Sequence, residues 1–104
     1  MSVIMYVDFP HNGPFGEGLK NELSELSKSI NNEPGLIWKI WTENQADKTA
    51  GGVYLFDTRV NAEKYLTMHS ERLTKWGYTN IRGQVYEANE GLTAINNGPI
   101  KSIK

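Results

Sequence analysis

Between Val3 and Ala88 the spacing of apolar residues switches five times between a period of two and one of roughly 3.6, with Gly, Pro or Asn at each switch. Each stretch between switches reads as one element. Val3 to Phe9 alternates β-branched and aromatic residues and predicts a strand, broken at Asn12-Gly13-Pro14, where Asn12 can cap a helix and Pro14 suits its first turn. Phe15, Leu19, Leu23, Leu26 and Ile30 then recur at three- and four-residue spacing, with Lys20, Glu25 and Lys28 off that stripe, which predicts an amphipathic helix. Asn32 to Gly35 ends it. Leu36 to Thr42 reads as a strand carrying Trp38 and Trp41, and Gly51 to Phe56 as the second arm of a hairpin, since the polar connection is too short for a parallel crossover. A second helix is expected from about Arg59 to Lys75, stopped by Gly77, and a last strand from Asn80 to Ala88. Beyond Gly91 the chain predicts one helical turn at Leu92 to Asn96, with 98–104 as a flexible tail. The order is βαββαβ: a single α+β domain over 1–104, with two helices on one face of a four-stranded antiparallel sheet.

At 104 residues there is room for one hydrophobic core. The absence of cysteine excludes disulfide scaffolds, thiolate metal sites and thiol nucleophiles, and it fits a reducing compartment. A formal net charge of -1 gives no bulk electrostatic footprint for nucleic acid or a membrane surface. No stretch reaches transmembrane length and the N-terminus does not read as a signal peptide, so the expectation is a cytoplasmic protein with no nucleic-acid or membrane partner.

Alternation within the strands predicts two unlike faces. Val3, Met5, Val7, Phe9, Leu36, Trp38, Ile40, Val53, Leu55, Ile81 and Val85 make an almost wholly apolar set. Ile4, Tyr6, Ile37, Lys39, Trp41, Glu43, Tyr54, Phe56, Arg82, Gln84 and Tyr86 make a mixed one, too aromatic for a solvated face and too polar for a sealed core. Two helices cover only one face. A second copy of the sheet is the economical cover for the other, so a homodimer with sheets face to face is expected.

The second helix carries the most informative residue. Ala62, Tyr65, Leu66, His69, Leu73 and Trp76 share one stripe, with His69 near its middle. A core histidine hydrogen-bonded to a carbonyl or a tyrosine is one reading; a proton acceptor or donor at a helix–sheet pocket is the other. Arg72, at the edge of the stripe, is either a solvated flank or an anchor for an anionic ligand. Trp38 and Trp41 must point to opposite faces, so only one lines a given pocket. Trp38, Tyr54 and Trp76 can form aromatic walls, or simply fill a core, and Asn12 sits in a loop able to present polar groups at a helix start. There is no phosphate loop, HExxH or GxSxG, and metal binding has no support. Glu43 and Glu87 are available as paired carboxylates, but strand-end carboxylates are usually solvated.

Phe9 to Gly16 with its Asn-Gly-Pro-Phe-Gly core, Glu33-Pro-Gly-Leu-Ile-Trp-Lys-Ile-Trp-Thr-Glu43, Ala50-Gly-Gly-Val-Tyr-Leu-Phe56, and His69 with Arg72 and Leu73 together resemble the YdhR family of putative monooxygenases. The resemblance runs over nearly the whole chain. That family is similar to the antibiotic-biosynthesis monooxygenases of the dimeric α+β barrel superfamily. It implies a ferredoxin-like protomer, a barrel made by two sheets, and oxidation of an electron-rich aromatic phenol or enol by molecular oxygen without cofactor. In that reading His69 is catalytic, and Asn12, Trp38, Tyr54, Arg72 and Trp76 bind substrate. The alternatives are a non-catalytic carrier or sensor using the same pocket and, from the βαββαβ order and the aromatic strand Gly51 to Phe56, an RNA-binding module, which lacks a basic field.

Overall fold

The structure, a computed structural model, describes residues 2–100. Its elements are β1 (Val3–Pro10), α1 (Glu17–Ile30), β2 (Leu36–Asn44), β3 (Thr49–Phe56), α2 (Arg59–Lys75), β4 (Arg82–Glu87) and α3 (Glu90–Ile95). The strands form one antiparallel sheet in the order β2-β3-β1-β4. This is the predicted ferredoxin-like βαββαβ arrangement, with α3 in place of the single turn expected near Leu92. Of the expected tail, residues 101–104 lie outside the described residues.

Local chemistry sets the boundaries. α1 begins at Glu17 behind Gly16 (φ 59°), three residues later than Pro14 suggests, and Asn12 is not its cap. The Glu43 carboxylate of β2 instead accepts the Gly16 N–H at 3.0 Å, fixing the start of α1 against the sheet edge. Thr58 caps α2, its hydroxyl accepting the Asn61 N–H, and Gly77 at φ 98° lets the chain turn so that the Tyr78 N–H reaches the Leu73 carbonyl.

The faces of β2 and β3 are exchanged relative to the sequence reading. Met5 stands opposite Tyr54, Val3 opposite Phe56, and Lys39 opposite Tyr54. Val3, Met5, Val7, Ala50, Tyr54 and Phe56, with Lys39 and Trp41, therefore share the helix-covered face. Val53, Leu55, Trp38 and Ile40 lie on the other face with Ile4 and Tyr6. Part of the cause is a β-bulge between Leu36 and Trp38, which changes the parity of β2 partway along. The core is built from Val3, Met5, Val7, Tyr54, Phe56, Ile30, Ala62, Tyr65 and Leu73.

The second face is partly covered by the chain's own C-terminal segment. The Ser2 N–H donates to Glu90, the Ala88 N–H donates to the Ser2 carbonyl, and Trp38 Nε1–H donates to the Pro99 carbonyl at 2.8 Å. These contacts draw residues 88–99 from the β4 edge toward β2, and Leu55 is fully buried there. Ile40, Tyr6 and Tyr86 remain exposed.

Candidate functional site

α2 presents Ala62, Tyr65, His69 and Leu73 to the sheet, all nearly inaccessible, because their three- and four-residue spacing keeps them on one side of the helix. His69 thereby stands over the sheet face that carries Tyr54, Lys39 and Trp41. Together with Leu19 and Leu23 of α1, and with Trp76 and Tyr78 beyond α2, they line a cavity of about 30 Å³. That is room for about two waters. An open groove of about 470 Å³ lies alongside, between α1 and β2, and shares Leu19, Leu23 and Trp41 with the cavity.

The polar groups form a chain. The Tyr54 and Tyr65 hydroxyls are 3.3 Å apart, the Tyr65 ring stacks on the His69 imidazole with centroids 5.1 Å apart, and Arg72 donates to His69 Nδ1 from Nε (3.2 Å) and Nη2 (2.9 Å). With Nδ1 accepting, the proton of neutral His69 resides on Nε2, so the imidazole has a donor to offer. Burial, with the positive charges of Arg72 and Lys39, lowers its pKa to about 3, which keeps it neutral at physiological pH. Burial also raises the Tyr54 and Tyr65 hydroxyls above the usual tyrosine range.

Lys39 is the unexpected member. Its Nζ lies 3.2 Å from the Trp41 ring centroid and 4.6 Å from that of Tyr54. Among the described residues neither Lys39 nor Arg72 has a carboxylate within salt-bridge reach. Burial, and then the neighbouring Arg72 charge, lower the Lys39 amine to about 7. Gly52 makes room for it: a Cβ there would stand 2.7 Å from Lys39 Cε and 3.3 Å from Tyr54 Cε1.

The residues singled out from sequence divide accordingly. His69, Tyr54 and Trp76 line the cavity, with Arg72 bonded to His69 at its rim. Trp38 is on the opposite sheet face, bonded to Pro99, and the tryptophan that lines the cavity is Trp41. Asn12 is exposed and does not line it. Sequence reading missed Lys39, although its alternation with Ile37 and Trp41 was a signal. Glu43 and Glu87 sit on opposite edge strands and form no pair. His11, also buried, bridges the Pro14 carbonyl (2.8 Å) and the Tyr78 hydroxyl (2.9 Å), which occupies both ring nitrogens. Among the described residues no group of three or more His, Asp or Glu side chains could hold a metal ion, and no helix is long and apolar enough to cross a membrane.

The fold and the sequence have relatives. A crystal structure described as a putative antibiotic biosynthesis monooxygenase from Deinococcus radiodurans superposes with a TM-score of 0.61 over 84% of this chain and 92% of that one. At 16% identity the likeness concerns the fold alone. A search of curated protein sequences finds no match. The model of the family described as "Putative mono-oxygenase ydhR" matches residues 4–99, spanning all four strands and the whole cavity. The chain belongs to the ydhR family that this model describes.

Proposed function

We propose that the protein is a cofactor-independent monooxygenase for a small electron-rich phenol or enol, acting as a homodimer through the partly uncovered sheet face. The observation that carries the reading is the cavity: aromatic walls from Tyr54, Trp41 and Trp76 beside a neutral imidazole donor and an amine, with the Arg72 guanidinium at the rim and, among the described residues, no carboxylate paired to either cation. Such a lining suits a planar ring and favours negative charge on it. A phenolate or enolate is the form of these substrates that gives up electrons to dioxygen most readily. The balance closes without a further reductant. In oxidation of a phenol to a quinone, one oxygen atom adds to the ring, the other leaves as water with two hydrogens from the substrate, and four electrons pass to dioxygen.

Under this reading His69 Nε2–H donates to the developing oxyanion, Arg72 holds His69 in that tautomer, and the tryptophans and Tyr54 flank the ring. An engineered cavity that holds benzene measures about 150 Å³, so ligand entry requires the space to enlarge. α1 is suited to move, since only Leu19 and Ile30 of its residues are buried. The test is oxygen uptake with a panel of phenols and enols under air and under nitrogen. Wild type is expected to consume oxygen with at least one member, and His69→Ala to do so about 10²-fold more slowly. Saturable binding with no oxygen uptake across the panel points to the carrier or sensor reading instead.

A further inference from the structure

We infer that Lys39 is the proton acceptor of this cavity, and that with Arg72 it takes the substrate as an anion: the phenol or enol hydroxyl gives its proton to Lys39 Nζ and remains as phenolate or enolate beside the ammonium. The inference deepens the phenol or enol reading above and rests on it.

Among the described residues Lys39 lacks an acidic partner. A lysine on a helix-covered sheet face ordinarily meets a carboxylate, because a buried ammonium without one is costly. Here the Nζ meets only the faces of Trp41 and Tyr54. Cation–π contact compensates in part, yet it leaves the nitrogen without an acceptor among the described side chains. Arg72 likewise spends donors on a neutral imidazole rather than on an acid. Two cationic side chains thus converge on one aromatic space that supplies no negative charge, and an anionic ligand completes it.

The surroundings identify which group exchanges the proton. From β3 the amine faces Tyr54, whose hydroxyl is held protonated by burial; from α2 it faces His69, held neutral, and Arg72, always charged. Tyr65 stands behind His69 and is held protonated as well. α1 contributes only leucines to the cavity, and β1 contributes Val7 and Phe9. His11 and Tyr78, at the cavity's edge, are bonded to each other. Lys39, with its amine near pH 7, is the cavity group best matched to accept a phenolic proton at neutral pH. The O–H bond of the substrate breaks, an N–H bond forms on Nζ, and no electron leaves the pair. A planar ring entering over Trp41 takes the place now filled by the amine, with its oxygen toward Nζ and Arg72.

The experiment uses 4-nitrophenol, whose phenolate absorbs in the visible and whose phenol does not. It is titrated against pH with wild type in excess, and with Lys39→Met and Lys39→Gln, the second serving if the first does not fold. The expected result is that binding to wild type lowers the probe's ionisation midpoint by at least about one pH unit, a tenfold gain in its acidity, and that the shift disappears in either folded variant. A bound probe that titrates as it does free, a shift that survives loss of Lys39, or no saturable binding overturns the inference. The two readings fail separately. A shifted probe with no oxygen uptake from any phenol removes the monooxygenase and keeps the anion pocket. Oxygen uptake with an unshifted probe removes the role of Lys39 alone.

Discussion

The amine of Lys39 lies 3.2 Å from the centre of the Trp41 ring, two residues further along β2 and on the same face of the sheet. The alternation that aligns them also places both on the sheet face beneath His69, with Trp41 still 36% exposed at the cavity's edge. Stability and function then compete at this position. The folded-state pKa of Lys39, about 7, is below its ordinary 10.5, so the native state binds fewer protons than the unfolded chain between those values. Stability therefore rises as pH climbs from about 7 to about 10, and below 7 the cost of the buried ammonium is fully present. Lys39→Met should be more stable than wild type by about 1–3 kcal/mol at or below neutral pH, with the gain shrinking toward pH 10. Urea unfolding across that range checks the sign, and oxygen uptake should fall in the same variant.

His69 gives a slope of the same sign in a lower window. Its folded pKa, about 3, is depressed from 6.5, so the unfolded chain takes up a proton that the native imidazole refuses. Stability should fall as pH drops from about 6.5 toward 3, by a few kcal/mol at the low end. Between about pH 6.5 and 4.5 most carboxylates remain ionised, so His69→Phe should flatten the curve there relative to wild type. Equal slopes for both proteins would contradict a buried, neutral His69.

Gly52 tests whether the amine needs its present seat. Gly52→Ala puts a methyl 2.7 Å from Lys39 Cε, and the flexible lysine stem yields before the backbone does. The expected stability cost is about 1 kcal/mol, at the low end for overpacking. The amine should titrate closer to the ordinary lysine range, read by NMR of carbon-13-labelled lysine, and oxygen uptake should drop.

The second sheet face predicts an assembly. Ile40 and Tyr86 are each 54% exposed, on a face where the C-terminal segment covers only part of the strands. Sedimentation equilibrium should find a dimer for wild type. Ile40→Glu, which changes no cavity residue, should shift it toward monomer by about tenfold or more in Kd. A monomeric wild type removes the face-to-face pairing.

The order of elements was legible because each apolar period is a local property. Phe15 to Ile30 and Val3 to Phe9 declare their type within a few residues. His69 was legible for the same reason: a polar side chain in the middle of a helical apolar stripe needs no tertiary information to be noticed. Lys39 was not, because alternation sorts residues within a strand but does not say which set joins which set in the next one. That depends on pairing, and the bulge after Leu36 alters it. Exchanging the faces of β2 and β3 moved Lys39 and Trp41 onto the helix-covered side and Trp38 off it, which is the main difference between the expected site and the observed one. The caps of α1 were hidden similarly, since the acceptor for Gly16 is Glu43, on another element.

The central claim is that this cavity turns a phenol or enol over with dioxygen and no other reductant. Turnover under ¹⁸O₂, with a phenol or enol that supports oxygen uptake and mass analysis of the product, tests it most directly. The account predicts one labelled oxygen atom in the organic product and the other in water, at a rate that falls on loss of Lys39 or His69. Product carrying oxygen only from solvent, or no oxygenated product from any phenol or enol tried, would contradict it.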